Sequence, residues 1–268
     1  FFYDVLQLNS GDSISLKLRS IVGLIPMFAV EIIEHDILEK LPNFTKRMQW
    51  ILKNKPELAN LVSHWEVEGE GGKHLMSILR KNRLTRILKR MVDEKEFLSD
   101  YGIRSMSKVY EENPFKFTVD GQDFTVKYTP AESDSRMFGG NSNWRGPIWF
   151  PINFLIVESL QRFHYYYGDS MKIEFPTNSG EMKDLLYVSE DLSKRLYSIF
   201  SKNENGERAF NGGNYIMNHD EHFKDYIMFY EYFNGDNGMG IGASHQTGWT
   251  ATIAKLIQPT HLVKGKFS

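Results

Sequence analysis

The 268-residue sequence contains no cysteine. That absence excludes a disulfide scaffold, thiolate-ligated zinc, iron–sulfur clusters and a thiol nucleophile together. The chain also lacks an excess of charge. Its 32 basic and 34 acidic residues give a net charge of −2, too little positive field to hold a polyanion, so nucleic acid is not expected as a partner. Nor is there a long hydrophobic run. The longest, 21–33, is interrupted by Gly23, Pro26 and Glu31 and is too short to cross a bilayer, so no membrane partner is expected. P-loop and serine nucleophile-elbow motifs are missing as well. What the chain has in excess is aromatic: 14% of residues, with 19 Phe, 13 Tyr and 5 Trp.

Local patterning predicts a mostly helical chain with inserted hairpins. Asn9-Ser10-Gly11-Asp12 is a turn between two short extended runs, a hairpin near the start. Ile21, Leu24, Ile25, Phe28, Ala29, Ile32 and Ile33 follow helical spacing, with Pro26 kinking or starting the helix. Asn43 is expected to cap a second helix that carries Phe44, Met48, Ile51 and Leu52 on one face and closes at Asn54 and Pro56. Residues 66–73 form a charged, glycine-rich break and the best candidate for a flexible loop. Leu84, Ile87, Leu88 and Met91 mark a basic helix whose Arg and Lys residues are expected on a solvated face. A hairpin around Asp120-Gly121 covers 116–128, and three strong helices are expected over about 147–167, 182–202 and 245–257.

Three polar–aromatic clusters occupy the long segments between these helices. The first holds Tyr101 and Arg104; the second runs from Glu132 and Asp134 through Asn143 to Trp144, Arg145 and Trp149; the third joins Glu231 and Asp236 to His245 and Trp249. Flat rings beside carboxylates, amides and guanidinium groups are what a sugar site needs, because rings stack on pyranose C–H faces while polar groups satisfy hydroxyls. Each cluster alone reads more readily as core aromatics and chain turns; three together shift the balance towards a site. Glycosidic cleavage needs two carboxyl groups across the bond, one acid and one base or nucleophile. Glu231, between Tyr230 and Tyr232, is the best single candidate, with Asp134, Glu132 and Asp236 as the other carboxylates.

Two further motifs carry no chemistry. Gly238-Met239-Gly240-Ile241-Gly242-Ala243 fits G-x-G-x-x-A formally, but only 25 residues follow, too few for a βαβ unit. His219-Asp220-Glu221-His222 lacks H-E-x-x-H spacing, so no metal and no cofactor are expected.

Trp144-Arg145-Gly146-Pro147-Ile148-Trp149 followed by Pro151-Ile152-Asn153 resembles the W-R-G-P-I-W segment of glycoside hydrolase family 63, which includes processing α-glucosidases. Tyr101-Gly102-Ile103-Arg104-Ser105, Glu231-Tyr232-Phe233 and Thr247-Gly248-Trp249-Thr250 fall in the family's order, so the resemblance runs over 19–257. It implies an all-α-dominated fold, part of an (α/α)6 barrel with β-hairpin insertions, and inverting hydrolysis of an α-glucosidic bond in an oligosaccharide or small glucoside. It implies Glu231 as general base and Trp144, Arg145 and Trp249 as sugar-binding residues, with no cofactor. We add Trp149, Asp134, Glu132, Arg104, Tyr101, Asn143 and His245 as substrate-binding candidates from the clusters. The family's general-acid aspartate has no matching surroundings here and is expected upstream of Phe1. Residues 1–268 are therefore expected to be the C-terminal portion of one catalytic domain, with the remainder of its own polypeptide as partner and a cytoplasmic location. The alternatives are a non-catalytic or degenerate carbohydrate-binding relative, or a helical interaction scaffold.

Overall fold

The computed structural model describes residues 1–60, 67–132 and 144–257. Its first element is the expected hairpin, β1 (Asp4–Gln7) and β2 (Ser13–Leu16), paired antiparallel with Asp4 opposite Leu16. Gly11, at φ 90°, makes the turn.

The stretch expected as one helix over 21–33 divides in two. Ile21–Phe28 is a 3-10 helix and Val30–Ile33 is a strand, β3. Pro26 removes a backbone donor inside the helical part, and Val30, Ile32 and Ile33 are β-branched, so an extended partner wins. After β3 come three short helices, α1 (His35–Lys40), α2 (Pro42–Asn54) and α3 (Pro56–Ala59), none of which buries a residue. Asn43 does not cap α2: Leu41 holds that position and Pro42 opens the helix, which is where a missing N–H is harmless. The strand β4 (His74–Ser77) then closes on β3, Val30 facing Ser77 and Ile33 facing His74.

Within the glycine-rich break, the described residues are held rather than loose. The Glu70 N–H donates to the Tyr166 carbonyl at 2.9 Å, and the Tyr166 hydroxyl donates to the Val67 carbonyl at 2.8 Å.

The core forms where amphipathic helices meet. In α4 (Lys81–Met91), Leu84, Ile87, Leu88 and Met91 are all fully buried, while Arg83, Arg86 and Lys89 stay in water, as expected of a solvated charged face. The strands β5 (Leu98–Ser99) and β6 (Gly102–Ile103) make a tight pair, and β7 (Phe115–Val119) with β8 (Gln122–Val126) forms the second expected hairpin. Helix α5 (Phe150–Tyr167) packs along its length on α6 (Leu185–Ser198), burying Ile156, Leu160 and Phe163 against Leu185, Val188, Leu192 and Leu196. Between them β9 (Lys172–Glu174) pairs with β10 (Met182–Asp184), which takes the first residues of the expected 182–202 helix. Asp184 then caps α6 by accepting from the Tyr187 N–H at 2.8 Å.

The last segment contains α7 (Tyr215–His219), β11 (Tyr232–Phe233), β12 (Gly240–Ile241), α8 (Thr247–Thr250) and α9 (Ile253–Ile257). The helix expected over 245–257 is thus two short pieces. Thr250 explains the break, because its buried hydroxyl is drawn to the Tyr230 carbonyl at 2.5 Å and ties the turn to the β11 segment. Helices dominate, and every named strand lies in a two-stranded antiparallel pair. One flank carries an apolar groove of about 420 Å³ lined by Leu18, Val22, Ile25, Met106, Trp144 and Ile152.

Candidate active site

Three distant segments lie side by side to build the site. Arg104 bridges Ile148, and Ile148 bridges Phe233. The Ile148 N–H donates to the Phe233 carbonyl at 2.8 Å and the Phe233 N–H returns the bond at 3.0 Å. Asn153, in the first turns of α5, locks the third segment. Its Oδ1 accepts from the Ile103 N–H at 2.7 Å, and its Nδ2 donates to the Ile103 carbonyl and to the Trp149 carbonyl, both at 3.0 Å. Trp149 is the residue that enters α5, so the helix start fixes its ring.

An aromatic wall follows from this arrangement. Trp144 and Trp149 stack at 4.5 Å with their planes 4° apart; Trp149 stacks on Tyr232 at 4.9 Å; Trp249 meets Trp149 edge-on at 6.1 Å. Trp149 and Tyr232 are buried, whereas Trp249 is 40% exposed and forms the rim. Tyr232, the first residue of β11, lies in the wall, and Glu231 just before it is half-buried beside it. The Glu231 backbone carbonyl accepts from Trp249 Nε1 at 3.1 Å, and its Oε2 lies 3.5 Å from the Ala243 N–H.

The formal dinucleotide pattern has a steric meaning here. A Cβ on Gly242, which sits at φ 75°, would come within 2.8 Å of both Glu231 Oε2 and the Tyr232 ring, and one on Gly240 would enter the Tyr230 ring. These glycines let β12 close over the Glu231 strand.

The remaining expected residues divide. Glu132 joins the edge of the wall, its Oε1 accepting from the Tyr232 hydroxyl at 2.9 Å. His245 is exposed near the rim, with Nδ1 2.9 Å from Ser244 Oγ. Asp134 and Asn143 lie outside the described residues. Arg104 and Arg145, expected to bind sugar, are 6% and 1% exposed. The Arg104 guanidinium acts as a strut between Tyr128, Leu98 and Asp236. Tyr101 lines a separate cavity against Gly238. His219 of the expected non-metal run pairs with Glu207 at 3.2 Å.

Asp236, at the turn of the β11–β12 hairpin, is the electrostatic anchor of the Arg104 strut. Arg104 Nη2 and Lys108 Nζ lie 3.1 and 3.0 Å from its Oδ1, and the Tyr128 hydroxyl donates to the same oxygen at 2.9 Å. Arg104 Nε also reaches the Tyr128 oxygen at 3.1 Å, and its Nη1 donates to the Leu98 carbonyl. Burial alone would raise the Asp236 carboxyl; hydrogen bonds from Lys108 and Tyr128 and the charges of Arg104 and Lys108 outweigh it and hold the group below its ordinary 3.8. Burial pushes the Tyr128 phenol up. A depressed carboxylate stabilises the fold above its unfolded value and loses that contribution as pH falls through the lower folded one. Thermal unfolding should therefore separate the native protein from Asp236→Asn at pH 6, and the difference should shrink as the pH is taken below about 4. A difference that stays constant down to pH 3 would rule the linkage out.

Aligned with known proteins, residues 73–259 match the model of the glycosyl hydrolase family 63 C-terminal domain. The chain belongs to glycosyl hydrolase family 63. Its family 63 segment contains Trp144, Trp149, Glu231 and Trp249, the members of the wall. The chain is 49% identical to uncharacterized protein YMR196W of Saccharomyces cerevisiae over 96% of its own length and 24% of that protein. It is 25% identical to the mannosyl-oligosaccharide glucosidase of the same yeast (68% of this chain, 16% of that protein). It is 24% identical to the probable mannosyl-oligosaccharide glucosidase of Schizosaccharomyces pombe (67% and 16%). The chain thus spans about a quarter or less of these relatives. Among the described residues, no helix is long and apolar enough to cross a membrane.

Proposed function

We propose that this chain supplies one wall and the general base of an inverting α-glucosidase. The observation that carries the reading is Glu231 beside a wall of Trp144, Trp149, Tyr232 and Trp249, in a chain of a glycoside hydrolase family. Rings of this kind stack on the apolar face of a glucosyl unit. Glu231 takes a proton from a water molecule as its oxygen attacks the anomeric carbon. The glycosidic oxygen leaves from the opposite face and receives a proton from a second carboxyl group. Inversion requires the two carboxyl groups to stand about 6.5–9.5 Å apart, leaving room for the water. That acid is an aspartate from the rest of the polypeptide, whose helices complete an (α/α)6 barrel and cover the apolar groove at Val22, Ile25 and Ile152. Glu132 and His245 serve as hydroxyl-binding groups at the edges, and Arg104 braces the β11–β12 turn through Asp236.

The test uses the full-length protein and an α-glucoside, followed by proton NMR during the first turnovers. Glucose should appear first as the β-anomer. Release as the α-anomer would exclude an inverting mechanism, and no release from any α-glucoside would leave the wall as a binding surface only. Within the same assay, Trp249→Ala should raise KM about tenfold, the loss of roughly 1.4 kcal/mol of stacking and of the indole bond to the Glu231 carbonyl.

A further inference from the structure

A second cavity, of about 510 Å³, is lined by none of the aromatic-wall residues. Its size is that of a small-ligand pocket. Neither Glu231 nor any tryptophan lines it; its walls come from the β5–β6 turn, the carboxyl end of α6, the segment 207–213 and the β11–β12 turn. The groups that converge there have a consistent chemistry. Tyr101 contributes a half-buried ring. Ser198 and Ser201 donate their hydroxyl protons to helix carbonyls, at 2.7 and 3.1 Å, which leaves their oxygens able to accept. Asn203 and Asn237 add amides.

The charges are largely matched. Lys202 lies 3.1 Å from Asp225, Asp100 is 3.6 Å from Arg195, and the lining holds Glu207 and Arg208 side by side. Little net charge therefore remains to draw in an ion. One buried donor in the lining is left over. Arg208 gives Nη1 to the Phe200 carbonyl at 2.6 Å, but its buried Nε has no partner among the described residues. Such a group favours a ligand oxygen, because an unmet buried donor is costly. Ring, amides, hydroxyl oxygens and one unmet N–H, with charge nearly balanced, suit a neutral polyhydroxylated ligand.

We propose that this cavity is an accessory carbohydrate-binding position, which holds a glucosyl unit of a bound oligosaccharide away from the bond that is cleaved. The proposal rests on the carbohydrate reading of the wall, and the experiment separates the two. Hydrogen–deuterium exchange is followed by mass spectrometry on the intact protein, with maltose titrated as probe. Peptides covering 200–214 report the accessory cavity, and peptides covering 244–252 report the wall. Maltose should slow exchange in 200–214 in a saturable manner.

Gly213→Leu is the blocking variant, since an added Cβ at Gly213 meets nothing within 4 Å and the side chain can grow into the open volume. It should weaken the 200–214 response at least tenfold while the 244–252 response keeps its midpoint. Arg208→Lys, which keeps the charge and removes the Nε donor, should weaken it in the same direction. Protection of 244–252 without protection of 200–214 overturns the accessory position and leaves the wall. A 200–214 response that Gly213→Leu and Arg208→Lys leave unchanged, or one produced by inorganic phosphate and not by maltose, also overturns it. No protection in either peptide overturns both readings.

Discussion

Glu231→Gln in the full-length protein is expected to lower turnover of an α-glucoside by about 10²–10⁴-fold with KM changed only a few-fold. Glutamine has nearly the shape of glutamate but cannot take a proton from water. The contacts that hold the residue survive the change: its backbone carbonyl still accepts from Trp249 Nε1, and an amide oxygen can still face the Ala243 N–H. The closure of Gly242 over the side chain also survives, because the volume is unchanged. The loss should therefore appear in kcat, with the unfolding midpoint unmoved. Glu132→Gln is the control carboxylate. Its Oε1 already accepts from the Tyr232 hydroxyl, a bond that an amide oxygen keeps, so its effect should be at most tenfold. Equal effects of the two substitutions, or full turnover by Glu231→Gln, would move the base elsewhere.

Asn153→Ala is expected to destabilise the protein by about 4 kcal/mol, read as a fall in the denaturant midpoint followed by tryptophan fluorescence. The side chain is 1% exposed and serves the N–H and the carbonyl of Ile103, itself fully buried. Truncation leaves two buried backbone groups unmet, at about 1–3 kcal/mol each, together with a small cavity. Asn153→Asp keeps the acceptor for the Ile103 N–H and loses the donor to its carbonyl, so a buried carboxylate faces a carbonyl oxygen. Both variants should also lose the Trp149 constraint, because the same amide holds the Trp149 carbonyl. A midpoint within 1 kcal/mol of the native protein in Asn153→Ala would show that β6 is held by other means.

Trp144, Trp149 and Trp249 stood out in the sequence through their neighbours, whereas Tyr232 entered only as a residue beside Glu231. Trp144 and Trp149 sit five residues apart at a helix start, while Glu231 and Trp249 are 18 residues apart with β11 and β12 between them. The burial of the arginines was not legible. A guanidinium among aromatic residues suits either a ligand clamp or a buried strut, and only the partners of Arg104, which come from Leu98, Tyr128 and Asp236, decide it. Asn153 was visible only as the end of a motif, because its work is done on a backbone 50 residues away. The same non-locality misled the reading of 21–33. Its apolar spacing suits a helix, yet Val30 finds Ser77 across a sheet, and no local pattern carries that pairing. Where a helix stands on its own amphipathic face, as in α4, spacing was sufficient.

The adjacency of Arg104, Ile148 and Phe233 has a kinetic consequence. Arg104 and Ile148 are 44 residues apart, and Ile148 and Phe233 are 85 apart. Each bridge closes a long loop before it returns any contact energy, and closures of that span are the slow steps of folding. Helices α4, α5 and α6 can form from nearby residues, whereas the strip that carries the tryptophans waits for all three ends to meet. The aromatic wall should therefore be the last part of the chain to consolidate, and the amides of Ile148 and Phe233 among the last to gain protection during refolding.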